Sequence, residues 1–351
     1  MATNEPLLLK TRKVDAVVVA ALLEIGGGKR LCIVRRDGSC SWRLENGQEH
    51  RWREGDIHLN GPVLSAAWRP FSTKRSVLAL GFSDYVVFCD APGSSTSENA
   101  FRERRVSIPQ PAHVLTWSPK GRVLFLASMG SNVVLTLDAA FGAVDGSFRP
   151  VGFRNSIRSF AWSSGSNSRL FVSGGIAPVF KVFAESMQSS DTWACSQPVV
   201  FGGWSRDGNR FLCGNAADGI TIVDLSLKAQ WVILSSSALR RVVEEECREE
   251  GDSMDKADME VRQLYWDPVR GDTVVVVLGG MAPKLALLFK CTKLDKIMSC
   301  TFMRRVSSPT SYPPIAVDFD SSGSSSRAAV LYADGGIEVI PDLASWRLLK
   351  M

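Results

Sequence analysis

The sequence predicts an all-β chain folded into a single seven-bladed β-propeller, and two observations carry that expectation. The first is a repeated unit, clearest in Phe201–Leu225. There an apolar segment ends in Trp204, a polar Ser-Arg-Asp-Gly turn follows, and short strand-forming runs flank a second turn at Ala217-Asp218-Gly219. Asp-Gly supplies the positive φ that a hairpin needs, so the unit reads as antiparallel strands whose apolar face requires neighbours of the same kind. The second observation is that such neighbours exist: Trp68-Arg-Pro70, Trp117-Ser-Pro119-Lys-Gly121, Trp162-Ser-Ser-Gly165, Trp266-Asp-Pro268 and Phe319-Asp-Ser-Ser-Gly323. They recur at intervals of roughly 42 to 62 residues, the range of a four-stranded blade with variable loops. Seven such sheets can close into a ring with no long free edge.

In chain order, residues 1–13 are a polar lead-in. Its Leu7-Leu8-Leu9 is one candidate for the strand that closes the ring, and Trp346–Leu349 at the other end is the second. Residues 14–351 are the propeller. Its first unit lacks the Trp and reads as Val14–Leu23, a turn at Gly26-Gly27-Gly28, Leu31–Arg35, a turn at Asp37-Gly38 and Cys40–Leu44, with an outer strand within Glu45–Asn60. Blade two takes Val63, Val77–Gly81 and Tyr85–Asp90, and the Ser-, Gly-, Pro- and Arg-rich stretch Ala91–Pro109 reads as its link. Blade three follows as His113–Trp117, Val123–Ala127 and Val133–Asp138. Blade four is Ile157–Trp162, Leu170–Val172 and Val179–Phe183, with Trp193 in its outer strand. The outer strand of blade five is expected at Trp231–Leu234. An acidic insertion occupies residues 235–260, where Glu244–Glu260 carries too few apolar side chains to offset the entropy of ordering. It reads as an irregular loop with at most a short exposed helix at Leu239–Glu250. Blades six and seven are Val261–Phe289 and Ile315–Pro341.

Composition narrows the function classes. The chain has 351 residues, 45% hydrophobic and 22% charged, the balance of an ordinary globular protein. A net charge of only +5, with Arg pairs scattered at Arg35/Arg36, Arg104/Arg105, Arg240/Arg241 and Arg304/Arg305, argues against a nucleic-acid surface. The eight cysteines form no C-x-x-C pair, and Cys32, Cys89 and Cys213 sit in apolar runs, which reads as buried thiols in a reducing compartment. Three histidines, His50, His58 and His113, are too few for a metal site. Met1–Lys13 lacks the apolar core of a signal peptide. The one stretch that imitates a membrane span, Thr273–Phe289, is interrupted by Gly279-Gly280, Pro283 and Lys284 and reads instead as two strands joined by a turn.

Catalytic motifs are absent. Gly26-Gly27-Gly28-Lys29 has Leu23 where a phosphate loop needs Gly, and Arg30 where it needs Ser or Thr, so it reads as a hairpin turn. No G-x-S-x-G elbow occurs, and Asp207, Asp218, Asp267 and Asp334 fall in turns that carboxylates stabilise. No catalytic residue, metal ligand, cofactor or small-molecule substrate is therefore expected.

The succession Ala67-Trp68-Arg-Pro70, Thr116-Trp117-Ser-Pro119, Ala161-Trp162-Ser, Gly203-Trp204-Ser-Arg-Asp-Gly208, Tyr265-Trp266-Asp-Pro268 and Asp318-Phe319-Asp resembles the WD-repeat nucleoporins of the aladin family, including the change to Phe in the last unit. Pro178-Val-Phe-Lys-Val-Phe183, Asp191-Thr-Trp-Ala-Cys195 and the strand Leu285–Phe289 add local likeness. The resemblance implies a WD40-type propeller and a non-enzymatic subunit of the nuclear pore complex at the nuclear envelope. It also implies docking on a transmembrane nucleoporin and other pore subunits through the propeller faces. Two further readings stay open from the residues themselves. One is a generic WD-repeat adaptor in messenger-RNA export or ubiquitin ligation, and the other is a propeller enzyme with a His/Asp/Glu cluster at the channel. Trp68, Trp117, Trp162, Trp204, Trp266 and Phe319 are the expected blade-packing residues. Aromatic and Arg side chains anchor interfaces, so Phe101, Arg102, Arg104 and Arg105 in one link and Phe153 and Arg154 in the next are the candidate partner-binding loops.

Overall fold

Runs of β-branched and aromatic residues bounded by Gly, Pro, Asp and Ser turns form strands because branched side chains fit a pleated, half-buried surface. In this protein every described run but the first pairs antiparallel with a neighbour in sequence. The structure, a computed structural model, describes residues 7–9, 17–25, 28–35, 39–45, 52–59, 61–70, 77–90, 102–138, 143–148, 157–163, 168–174, 179–184, 187, 190–195, 199–205, 207–215, 219–250, 259–267, 272–280, 286–294, 297–306, 314–319, 327–332 and 337–340.

The chain opens with β1 (Leu7–Leu9). Blade one is β2 (Val17–Ile25), β3 (Gly28–Arg35), β4 (Ser39–Glu45) and β5 (Trp52–His58); blade two is β6 (Ser65–Trp68), β7 (Val77–Gly81), β8 (Tyr85–Asp90) and β9 (Arg102–Ser107). Blade three is β10 (Val114–Trp117), β11 (Val123–Ala127), β12 (Val134–Asp138) and β13 (Ala143–Phe148); blade four is β14 (Ile157–Trp162), β15 (Arg169–Gly174), β16 (Val179–Ala184) and β17 (Ser190–Ala194). Blade five is β18 (Val200–Trp204), β19 (Arg210–Asn215), β20 (Gly219–Asp224) and β21 (Ala229–Leu234), followed by α1 (Ser236–Glu250). Blade six is β22 (Met259–Trp266), β23 (Thr273–Gly280), β24 (Ala286–Leu294) and β25 (Ile297–Arg305), and the chain continues with β26 (Pro314–Phe319), β27 (Ala328–Tyr332) and β28 (Ile337–Ile340).

The first strands β2, β6, β10, β14, β18, β22 and β26 touch one another in succession, and β26 touches β2, so they line the axis and the ring closes. The last sheet completes its four strands with β1 from the other end of the chain, in the order β26-β27-β28-β1. Leu7, Leu8 and Leu9 lie opposite Val339, Glu338 and Ile337. Of the two closures the sequence left open, the N-terminal strand therefore makes this one; Trp346–Leu349 lies outside the described residues.

The core is divided among the seams between blades, and the alternation of each strand feeds two seams at once. In β23, Val274, Val276 and Leu278 face blade five, whereas Val275 and Val277 face the last blade. Burial on both faces explains why this segment reads as a continuous apolar run. Each such side chain contributes on the order of 1.5–3 kcal/mol relative to exposure. β23 and β24 are the two strands expected within Thr273–Phe289, and among the described residues no helix is long and apolar enough to cross a membrane.

Three expectations are corrected. The acidic insertion is not simply a loop with a short exposed helix. α1 starts at Ser236, and Leu239 and Val243 are fully buried in the seam of blades five and six beside Ile220, Leu234 and Val261. Ser235 caps it, its Oγ accepting the Ala238 N–H at 3.2 Å. Two buried positions four residues apart suffice to dock one turn-spaced stripe, and the surrounding Glu and Arg conceal them in a composition count. Residues 251–258 lie outside the described residues.

The link Ala91–Pro109 is not all loop, because Arg102–Ser107 is β9, the outer strand of blade two. An outer strand has one neighbour, so its sequence need not alternate; here, among the described side chains of β9, only Val106 is buried.

Not every cysteine is a thiol. Cys291 and Cys300 face each other across the β24–β25 hairpin and are joined in a disulfide with Cα atoms 4.2 Å apart. A cross-strand pair is marked by equal distance from its turn rather than by C-x-x-C spacing. Cys89 and Cys213 are buried and carry thiols.

Candidate functional site

The surface any partner meets is set by how rigidly the blades are joined, and that begins at the corner after each first strand. The residue following the Trp donates its backbone N–H to the carbonyl at the start of the second strand. Ser118 bonds Val123, Ser163 bonds Arg169 and Ser205 bonds Arg210, each at 2.8 Å. Arg69 bonds Val77 at 2.8 Å and Asp267 bonds Thr273 at 2.9 Å in the same way. Where the residue is Ser, its hydroxyl also accepts the returning N–H: Val123 to Ser118 Oγ at 3.1 Å, Arg169 to Ser163 at 2.9 Å and Arg210 to Ser205 at 3.0 Å. Serine thus satisfies both backbone groups of a tight hairpin, which is the physical content of the Trp-Ser pattern. The turns in blades three and five are completed by Gly121 and Gly208, with φ of 62° and 68°.

Each Trp then reaches across a seam. The Trp117 indole N–H donates to the Ala67 carbonyl at 3.0 Å, and Trp204 repeats the bond one seam pair later, to Ala161 at 3.1 Å. In both cases the acceptor is the residue before the Trp of the preceding blade. Trp162 and Trp266 have no hydrogen-bond partner for the indole N–H among the described residues. Trp68, Trp117 and Trp266 are buried, Trp162 and Trp204 half-buried. Trp117 packs on Phe88 with ring centroids 5.7 Å apart, Trp162 on Phe125 at 5.2 Å and Trp204 on Phe211 at 5.0 Å. Arg69 covers the Trp117 ring at 5.8 Å, and Arg210 covers Trp266 at 5.7 Å. Phe319 ends β26, and its side chain lies outside the described residues.

In blade five the turn carries a titratable group. Partial burial pushes the Asp207 carboxyl up, but hydrogen bonds from the Ser205 hydroxyl and from the Asn209 backbone and amide, aided by the Arg210 guanidinium, pull it below the usual carboxylate value. A depressed native pKa contributes stability above the unfolded pKa of about 3.9 and loses it as pH falls through the native value. Asp207→Asn should therefore lower the melting temperature at pH 7, and the gap to the wild type should narrow as pH drops below about 4. A gap that stays constant from pH 7 downward would show that the charge contributes nothing.

Of the candidate partner residues, Arg104 and Arg105 are brought together on β9 rather than on a loop, and both are exposed. The Arg104 guanidinium lies 5.0 Å from the Phe88 ring and that of Arg105 5.2 Å from Tyr85. Arg102 belongs to β9, but its side chain lies outside the described residues, as do Phe101, Phe153 and Arg154 altogether. The sequence reading missed a set of exposed apolar side chains. Met129 tips the β11–β12 turn, Leu227 tips the β20–β21 turn, and Val144, Val232 and Met303 lie on outer strands. His113 holds the first of these turns, its Nδ1 accepting the Met129 N–H at 3.2 Å with Ser128 Oγ 3.3 Å away. Among the described residues no group of three His, Cys, Asp or Glu is placed to hold a metal ion.

No family model matches the sequence, and no curated protein matches it. Solved structures do. The fold is similar to that of U3-55K, with a TM-score of 0.63 at 13% identity over 97% of this chain and 99% of that one. It is equally similar to the RRP9 WD40 repeats, with a TM-score of 0.63 at 12% identity over 97% and 98%. With the ring and the Trp corners described above, this likeness defines the architecture as an all-β propeller of the WD40-repeat type.

Proposed function

We propose that the chain is a non-enzymatic adaptor of the nuclear pore complex, similar to the aladin family, that docks on a transmembrane nucleoporin and other pore subunits through its propeller faces. The observation that carries the reading is the ordered succession of corner residues, Trp at five consecutive first strands and Phe at the next. The fold suits the role: a ring braced by seam-crossing indoles presents its loops and outer strands without large reorganisation, which lowers the entropic cost of association.

A tagged copy is expected to give a punctate nuclear rim that disperses when the membrane nucleoporin is depleted. A fragment ending before Val261 cuts β22 after two residues and lacks β23 to β28, and with them ring closure, and should fail to localise. Uniform cytosolic signal for the intact protein, with no pore subunit in its affinity capture, would overturn the reading in favour of an adaptor in another assembly.

A further inference from the structure

We infer that the outer edge of β9 is a docking strand for an extended acidic segment of a protein partner, which adds to blade two as a fifth strand. The inference stands independently of the pore assignment. β9 ends its sheet, in the order β6-β7-β8-β9, and among the described residues no strand pairs with its far side.

Outer strands elsewhere are poorer templates. The pairings that hold β13, β21 and β25 each carry a register shift, which twists an edge away from further pairing. β1 has three residues, β5 carries Gly55 with charges of both signs, and β17 is short and contains Asp191. β9 pairs with β8 in continuous register over its full length.

Which backbone groups β9 offers follows from that register. The Ile108 N–H donates to the Asp84 carbonyl at 2.8 Å, so bonded pairs alternate along the ladder as Val106–Val86 and Arg104–Phe88. Glu103, Arg105 and Ser107 consequently turn their N–H and C=O groups outward, where an added strand would meet them. The strand reads Arg-Glu-Arg-Arg-Val-Ser, three arginines against one glutamate. Besides Glu103, the acids that register brings nearest among the described residues are Asp84 and Asp90 at the two ends of β8, and Glu98 is the nearest acid ahead of the strand in sequence.

Such an edge repels a second copy of itself and accepts opposite charge, so one device gives protection and selectivity together. Arg104 and Arg105 project to opposite faces of the sheet, and each lies over an aromatic ring, Phe88 or Tyr85. The rings restrain the guanidinium groups before a partner arrives, so less side-chain entropy is lost on binding. An extended peptide with alternating acidic residues carries its carboxylates along one face, so according to its register it would set them beside Arg104 or beside Arg105 while its main chain pairs with the edge. A nucleic acid could use the charge but not the ladder.

The test is fluorescence anisotropy on the full chain with a labelled peptide of alternating Glu and Val, its Lys-for-Glu counterpart and a labelled uridine oligonucleotide. The Glu peptide should bind and the other two should not. Arg104→Glu with Arg105→Glu should weaken the Glu peptide at least about tenfold and transfer preference to the Lys peptide. Ser107→Pro removes only an outward N–H and should abolish binding while leaving the melting temperature near that of the wild type. Absence of Glu-peptide binding, equal binding of the Lys peptide, or unaltered affinity in Ser107→Pro would each overturn strand addition. Stronger binding of the oligonucleotide would make this a nucleic-acid surface instead. Should Ser107→Pro not fold, the charge-reversal pair still decides, since a double-Glu variant that keeps its preference for the Glu peptide sinks the proposal.

Discussion

Trp117→Ala is expected to lower the unfolding free energy by about 3–5 kcal/mol, a large part of a typical total of about 5–15. Trp117 is 4% exposed, packs on Phe88, lies under Arg69 and donates to the Ala67 carbonyl in the neighbouring blade. Truncation opens a void in the seam of blades two and three and removes the bond that ties the indole to the Ala67 carbonyl. Trp117→Phe refines the test, because it keeps an aromatic ring and removes the inter-blade bond, worth about 1 kcal/mol net. Trp266 is equally buried, but its indole N–H has no partner among the described residues. Trp266→Phe should therefore cost less than Trp117→Phe, as read from urea midpoints at unchanged m. Equal losses at the two sites would mean that the indole bond contributes nothing.

Gly219→Ala should be the most damaging single-methyl change, at about 2–5 kcal/mol. Gly219 has φ +85°, and a Cβ there would sit 2.1 Å from the Leu234 carbonyl oxygen and 2.7 Å from both the Ser235 carbonyl carbon and the Ser236 nitrogen. All three are backbone atoms, so no side chain can swing aside. The junction of β21 with the cap of α1 would have to move, and with it the seating of Leu239. Gly130 is the control. Its φ is +89° but nothing lies within 4 Å of its Cβ position, so Gly130→Ala should show only the conformational part, about 1–2 kcal/mol. Thermal melts of the two variants separate strain from collision, and similar losses would show that the crowding at Gly219 is relieved by movement of the helix.

What the sequence made legible follows the burial of each strand. Inner and middle strands such as β7, β20 and β27 are buried on both faces, so they stand out as apolar runs bounded by turn residues. β9 lies under far weaker constraint, and its arginines read as loop charge. α1 was half-legible, since its charged positions dominate the composition while Leu239 and Val243, flanked by the half-buried Ala238 and Val242, dock it. At the blade joints the Trp positions were plain, but their acceptors were not. The carbonyl that receives the Trp117 N–H belongs to Ala67, and only the fold brings the two together. The same holds for Cys291 and Cys300, which become neighbours through register.

Closure by β1 has a consequence for biosynthesis. The strand emerges from the ribosome ahead of every blade described above, yet its partner β28 is the last of the described strands. At about 5–20 residues per second, β1 waits roughly 15–65 s for the strand it pairs with. Blades can form one after another as they appear, since their strands are sequence neighbours, but the closing pair has the largest sequence separation among the described strand pairings and is set last. Until then the nascent polypeptide is an open arc with Leu7-Leu8-Leu9 at one end and an unfilled edge at the other, the interval in which a chaperone, or another arc of the same kind, competes for the clasp.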